Sequence, residues 1–343
     1  MRNIKSLVAV IAGLFAFTSV QAGEMTVTGS MQATYQTEVD DVTGNPLGMN
    51  TDLTFTGETE VLSGTAVKWT MGTDGTFLGE GSADHKIVFT NDYGSIKIGN
   101  SGDSANNVDD ITPTAFEEAN GSGSGTYTND VGSGLEGSMS LGYSNADLFG
   151  TGVSVDATYY PKLDGTTNNE KAATGTTNNA SKSAQSFNVG LPFASIPVIG
   201  STPLGGAKIT LGYAQADATN SEFQTKEDGT VAIVLPVGPL SVGFQKKAYQ
   251  TVSTANTTKN FYKDDIIGVA YAINDELAIS YNIIQSNNHT NDGKNDEQET
   301  KAINIAYTVG GLTIAANDAR TSNDNYVADS DDDTRTLSLK TAF

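Results

Sequence analysis

The 343-residue chain has no cysteine, a single tryptophan and only two histidines, His85 and His289. It therefore lacks disulfides, a thiolate nucleophile and any cysteine-built metal or iron–sulfur site. Two histidines make a multi-histidine metal centre improbable. Positive charge is scarce as well: 19 Lys and Arg stand against 40 Asp and Glu, a net charge of -21. A polyphosphate backbone would be repelled, which argues against nucleic-acid binding. Only 37% of the residues are hydrophobic. Beyond the N-terminus no apolar run approaches the length of a membrane-spanning helix, so a helical membrane protein is excluded.

The N-terminus carries an address. Arg2 and Lys5 precede an apolar stretch over residues 7–17, and Val20-Gln21-Ala22 offers compact residues before a cut. Residues 1–22 read as a secretory signal peptide, with 23–343 as one mature domain. The competing reading is a membrane anchor, for which the apolar stretch is short. Many exported soluble proteins use disulfides; this one must gain its stability another way.

The mature chain alternates with a period of two. Met25, Val27, Gly29, Met31, Ala33 and Tyr35 fall on one face of the first segment, with Thr, Ser and Gln on the other. Val67, Trp69 and Met71 oppose Lys68 and Thr70 in the third. The pattern recurs to the C-terminus and predicts about sixteen strands, with no segment at convincing helical spacing. Connections alternate too. Short turns at 62–64, 91–94, 236–239, 273–276 and 310–311 close hairpins. Their partners are long and polar: 37–50, 73–82, 100–132, 162–185, 216–222, 251–260, 286–299 and 321–333. Register sums place Val309 opposite Leu312 and Tyr307 opposite Ile314. Around 236–239 they place Leu235 opposite Leu240 and Ile233 opposite Val242. The Pro/Gly-rich piece 192–206 stands where a short turn is expected and has no account at this level.

Short turns at one rim and long loops at the other describe a transmembrane antiparallel β-barrel of the outer-membrane kind. A closed barrel pairs every backbone group within lipid. It turns its apolar side outward and needs no large core, consistent with the low apolar content. Aromatics near strand ends, among them Tyr35, Trp69, Tyr143, Tyr159 and Phe343, suit interfacial girdles. A β-sandwich would also alternate, but it would not require the asymmetry of the connections.

The last strand, 334–343, places Leu337, Leu339 and Phe343 on one parity and ends in Phe343. This resembles the signal of outer-membrane proteins read by the barrel assembly machinery, with Thr341 departing from the fully apolar form. Together with GSMQATYQ near the start, NDYGSIKIGN at 91–100 and a long acidic third loop, the mature chain resembles the general trimeric porins of Gram-negative bacteria, especially the alphaproteobacterial branch. The resemblance implies a sixteen-stranded barrel, a homotrimer, and a third loop folded into the lumen. It also implies partners in outer-membrane lipid, lipopolysaccharide and small hydrophilic solutes, with no cofactor.

By that resemblance 100–132 is the constriction loop. It carries Asp103, Asp109, Asp110, Glu117, Glu118 and Asp130, with no Lys or Arg. The 109–119 piece is read as one or two helical turns, with GSGSG as a bend; a solvated external loop is the other reading. Lys68, Lys86, Lys97, Lys208 and Lys340 share the lumen-facing parity and form the expected basic wall. Glu58 stands opposite Lys68 as a cross-strand ion pair. An acidic loop facing a basic wall sets a transverse field that orders polar solutes. Acid clusters at 291–297 and 329–333 are either Ca²⁺ sites or loop tips facing lipopolysaccharide. No nucleophile setting accompanies Asp84 and His85, so an outer-membrane enzyme is poorly supported. A passive diffusion channel is the expected function. Its rivals are a substrate-specific channel and a structural or adhesive surface protein.

Overall fold

The computed structural model describes residues 25–38, 44–62, 64–73, 84–100, 103–119, 131–132, 135, 138–163, 183–217, 225–251, 260–289 and 297–343. The signal-peptide segment, Asp130, the GSGSG stretch and acids 292 and 296 lie outside these residues.

Sixteen strands, each hydrogen-bonded to its chain neighbours, close into one barrel. They are β1 (Met25–Glu38), β2 (Leu47–Leu62), β3 (Thr65–Thr73), β4 (Asp84–Asn91), β5 (Gly94–Gly99), β6 (Ser140–Asn145), β7 (Ser154–Tyr160) and β8 (Ala184–Pro192). The second half comprises β9 (Lys208–Ala216), β10 (Lys226–Val237), β11 (Leu240–Thr251), β12 (Asn260–Ala272), β13 (Leu277–Asn288), β14 (Glu297–Val309), β15 (Leu312–Ser322) and β16 (Asp332–Ala342). All pairings are antiparallel, and β16 returns to β1. The seam extends one residue past β16. Phe343 N donates to Gly29 O and Gly29 N to Phe343 O, each at 3.0 Å.

The barrel is inside out relative to a soluble protein. Ile303, Ile305, Tyr307, Leu337 and Leu339 are exposed on its outer face. Gln245, Asn282, Asn304, Thr321 and Thr334 are sealed on its inner face. This is the sorting that a period-two pattern produces when lipid lies outside and polar groups pair within.

Register follows the sequence closely. Val309 pairs Leu312, Tyr307 pairs Ile314 and Ile305 pairs Ala316. The hairpin after β10 departs from expectation. Leu235 pairs Val242 and Val237 pairs Leu240, two residues away from the summed register. Gly238 adopts φ +59°, so a two-residue turn at Gly238-Pro239 replaces the expected four-residue one. A shift of two preserves which face each side chain takes.

The 192–206 piece is an ordered rim element. It contains 3-10 turns at Phe193–Ser195 and Pro203–Gly206. Hydrogen bonds from Phe193 N to Ala207 O and from Gly200 N to Ile196 O close it on itself. Backbone pairing internal to the element, unrelated to the period-two pattern, made it unreadable as a turn.

Candidate functional site: the loop across the lumen

The shortest strands, β5 and β6 with six residues each, flank the 100–132 loop. Its root is clipped to β4, where Asn100 N donates to His85 O at 3.0 Å and His85 N to Asn100 Oδ1 at 2.7 Å. From there the loop turns inward and runs along the wall from β7 to β14.

The wall is built to receive it. A Cβ on Gly212 of β9 would lie 2.7 Å from Val108 Cγ2, and one on Gly243 of β11 would lie 2.3 Å from Pro113 Cδ. These inward glycines make a trough that any larger side chain would fill. Polar wall residues then satisfy the loop's backbone. Gln245 Nε2 donates to Val108 O at 3.0 Å, Asn282 Nδ2 to Pro113 O at 3.1 Å and Asn304 Nδ2 to Glu117 O at 2.9 Å. Ser280 Oγ accepts from Ala115 N at 2.9 Å. Buried amides are stable there because each meets a loop partner. Both apolar clusters of the described residues also include this loop. Ala105 and Val131 pack with Leu135, Tyr160 and Ala214, while Ala119 packs with Ile266, Ile284 and Ala302.

The expected helical turns over 109–119 are absent. The sole helical element of the described loop is a 3-10 turn at Asn106–Val108. The 109–119 stretch spends its backbone groups on the wall, and Pro113 has no N–H to give a helix.

The acids divide by role. Asp103 is buried and acts within the protein: Oδ1 accepts from Ala105 N at 2.6 Å and Asn106 N at 3.0 Å, and Tyr160 OH donates to Oδ2 at 3.2 Å. Burial raises its pKa against these hydrogen bonds. Asp109 is buried too, accepting from Val131 N at 2.9 Å. Its Oδ2 lies 3.0 Å from Lys247 Nζ, which also reaches Asp110 Oδ1 at 2.8 Å. Glu118 is buried and accepts from Thr112 Oγ1. Burial, with the nearby Asp110 charge, pushes its carboxyl up to about 8. Burial pushes Asp109 up to about 7 although the Lys247 ammonium pulls the other way. Glu117, half-buried, rises to about 7 by burial. One ammonium thus serves three carboxylates. Of the described loop acids, Asp110 keeps a side chain that is 50% exposed and Glu117 is part-buried, whereas Asp103, Asp109 and Glu118 are buried.

The expected basic wall is partly spoken for. Lys68 pairs with Glu58 at 3.2 Å, as the turn register requires, and both remain half exposed. Lys97 crosses to Asp156 of β7 at 2.9 Å, and Asp156 accepts from Ser104 Oγ at 2.6 Å, so Lys97 belongs to the loop's anchorage. Lys86 and Lys340 form no ion pair among the described residues. Lys86 lines a recess of about 540 Å³ with Thr26, Thr28, Thr54, Thr56, Glu58, Lys68 and Thr70.

Lys247 is the functional residue missing from the sequence reading. Its signal was present: of the consecutive Lys246 and Lys247, the strict alternation of β11 sends one inward. The period-two pattern assigns it a face, but nothing local says that a loop more than 100 residues earlier will bury it.

The arrangement is a polar-lined barrel with a loop that its inner wall holds, and the barrel fold recurs in solved structures. The Vibrio cholerae outer-membrane protein OmpT with loop L8 deleted superposes with a TM-score of 0.69 at 12% identity, covering 94% of this chain and 100% of that one. OmpF of Salmonella typhi, solved with daunomycin, gives 0.68 at 16% identity over 94% and 98%. An anion-selective porin from Comamonas acidovorans gives 0.67 at 11% over 94% and 100%. No curated protein matches the sequence. At these identities the likeness carries the fold alone. The sequence itself matches the Gram-negative porin family over residues 7–340, and with that match the inward loop and polar lumen take their meaning: the chain belongs to the Gram-negative porins and is a diffusion channel of the outer membrane.

Proposed function

We propose that the channel passes ions and small hydrophilic solutes through an eyelet bounded by Asp110 and Glu117 on the loop and by Lys86 and Lys340 on the facing wall. The observation that carries this reading is the loop's course along β7 to β14, which leaves β1 to β6, β15 and β16 as the wall outside that course. Asp109 and Glu118 hold the loop and contribute little field because they are buried; Asp110 also meets Lys247 but keeps half of its side chain open. The acid surplus concentrates cations at the mouth, the free lysines oppose it, and salt screens both over about 10 Å at 0.1 M. A weak cation preference follows, stronger at low salt. No step requires a cofactor or an energy source.

The working unit is a homotrimer joined through lipid-facing residues of β1 and β16 such as Gly29, Met31, Ala33 and Leu337. One of the OmpT structures was described as a trimer form, and closed symmetry is the usual solution for identical subunits. Phe343 serves as the assembly signal for the barrel assembly machinery. A substrate-selective channel is the second reading, favoured by the Thr-lined recess at Lys86, which offers a small anion hydroxyls and the Lys86 ammonium beside the Glu58–Lys68 pair. Reversal potentials in a planar bilayer under a salt gradient test both. A weak positive-ion preference supports the general channel, and strong anion preference supports the selective one.

A further inference from the structure

The recess beside Lys86 is built from hydroxyls that the protein leaves unspent. Thr26, Thr56 and Thr70 stand in one cross-strand row that ends at Lys86 on β4. Thr28 and Thr54 pair in the row on one side of it, and Glu58 and Lys68 pair in the row on the other. None of the five threonine hydroxyls has a hydrogen-bond partner among the described residues. Inner-wall hydroxyls elsewhere are taken. Thr300 meets Thr321 at 2.9 Å and Thr308 meets Thr313 at 2.9 Å across their strands. On β1 itself, Ser30 Oγ donates to Asp52 Oδ2 at 3.0 Å and Gln32 Nε2 donates to Ser338 Oγ at 2.9 Å. The five free hydroxyls therefore form a bounded patch on β1 to β3.

The chemistry of the patch selects its ligand. A threonine hydroxyl both donates and accepts, as does each hydroxyl of a polyol. The recess volume, about 540 Å³, falls in the range of about 300–1,000 Å³ usual for small-molecule sites. No aromatic or aliphatic side chain lines it, so a ring face or an alkyl chain gains nothing there. Charge sets the rest. Lys68 is paired with Glu58 at 3.2 Å, whereas Lys86 has no carboxylate partner among the described residues. Two ammoniums against one carboxylate leave a single positive charge, and Glu58 repels a second negative charge on the ligand. One anionic group on a body of several hydroxyls meets each of these conditions.

We propose that this recess is a binding site for a sugar acid, its carboxylate at Lys86 and its hydroxyls on Thr26, Thr56 and Thr70. A small carboxylate without hydroxyls leaves the threonines to water, and a neutral sugar leaves Lys86 unmatched. The inference rests on the second reading of the channel and deepens it by naming the solute class of its recess. Thr26, Thr28, Glu58 and Lys68 are exposed on the inner face, so a solute held there narrows the current path for as long as it stays.

The test records single-channel current through the whole barrel in dilute potassium chloride while D-glucuronate, D-glucose or acetate is added to both sides. Glucuronate should interrupt the current saturably, and glucose and acetate should need concentrations about tenfold higher or more, since each lacks half of the match. Lys86→Gln should raise the half-blocking concentration of glucuronate about fivefold, the worth of one exposed ion pair. Thr56→Val with Thr70→Val should raise it about tenfold, for two lost hydrogen bonds. Glu58→Gln, which releases Lys68 and removes the opposing charge, should lower it, a gain that no folding defect imitates. Each value is read against the variant's own open-channel current. Equal block by acetate or by glucose, or a glucuronate block indifferent to these substitutions, would overturn the site. A normal current without any saturable glucuronate block would overturn the site and leave the channel standing. Loss of current in the native protein would overturn the channel reading and this inference with it.

Discussion

The Lys247 ammonium lies 3.0 Å from Asp109 Oδ2, and both side chains are shut off from solvent, at 1% and 2% exposure. A buried charge with one partner removed costs about 3–5 kcal/mol, so this pair fixes the loop to β11. Lys247→Met should leave Asp109 uncompensated and free the loop. The expected signature is a broadened spread of single-channel conductances and a lower melting temperature in detergent. Adding Asp109→Asn should recover part of the stability, because it removes the orphaned charge. A single sharp conductance in Lys247→Met would show that the pair does not set the loop.

Selectivity should separate the four loop acids into two pairs. Asp110→Asn with Glu117→Gln should move the reversal potential toward anions, with the barrel still folded, since neither residue carries a strand ladder. Asp109→Asn with Glu118→Gln should move it less and cost stability instead. Replacing Lys86 and Lys340 with Gln should push toward cations. Replacing Lys97 should act mainly on stability, because its charge already meets Asp156. Reversal potentials at low salt, where screening is weakest, give the clearest reading.

Protonation should tune the same eyelet. Glu117 and Glu118 titrate near 7 and 8 in the folded protein, above the ordinary carboxyl value of 4.5. The folded state therefore holds protons that the unfolded chain has already lost. Their contribution to stability is fully present below about pH 4.5 and falls as pH rises through 7 to 8. In conduction, cation preference should grow between pH 6 and pH 8 as Glu117 ionises. Glu117→Gln should flatten that rise; an unchanged pH profile in this variant would contradict the assignment.

Closure of the barrel should depend on Phe343 and Gly29. Deleting Phe343 removes two hydrogen bonds across the seam, each worth about 1 kcal/mol net, and should leave protein that is processed but poorly inserted. A side chain at Gly29 would lie 2.7 Å from Asp52 O and 2.8 Å from the Phe343 ring, so Gly29→Val should act in the same direction. Heat-modifiable migration of membrane fractions measures both effects.

The barrel was legible because its grammar is local. A period-two pattern fixes faces, and a turn such as Gly310-Gly311 fixes register, so Tyr307 and Ile314 could be paired on paper. The hairpin at Gly238-Pro239 was misread by two residues because the left-handed φ of Gly238, not the proline spacing, sets the turn. Which acids hold the loop was illegible for a different reason. Asp103 and Asp109 look no different from Asp110 in sequence. Their roles come from Tyr160 and Lys247, which reach them through the closed barrel and not along the chain.

The absence of native cysteine offers the most direct test of where the loop lies. Asp110→Cys, at a half-exposed position, can be labelled with thiol reagents of either charge while current is recorded through a single channel. A loop narrowing the lumen predicts a stepwise drop in conductance on labelling, with the reversal potential shifting toward cations for the anionic reagent and toward anions for the cationic one. Complete labelling with conductance and reversal potential unchanged would contradict the assignment of residues 100–132 to the constriction.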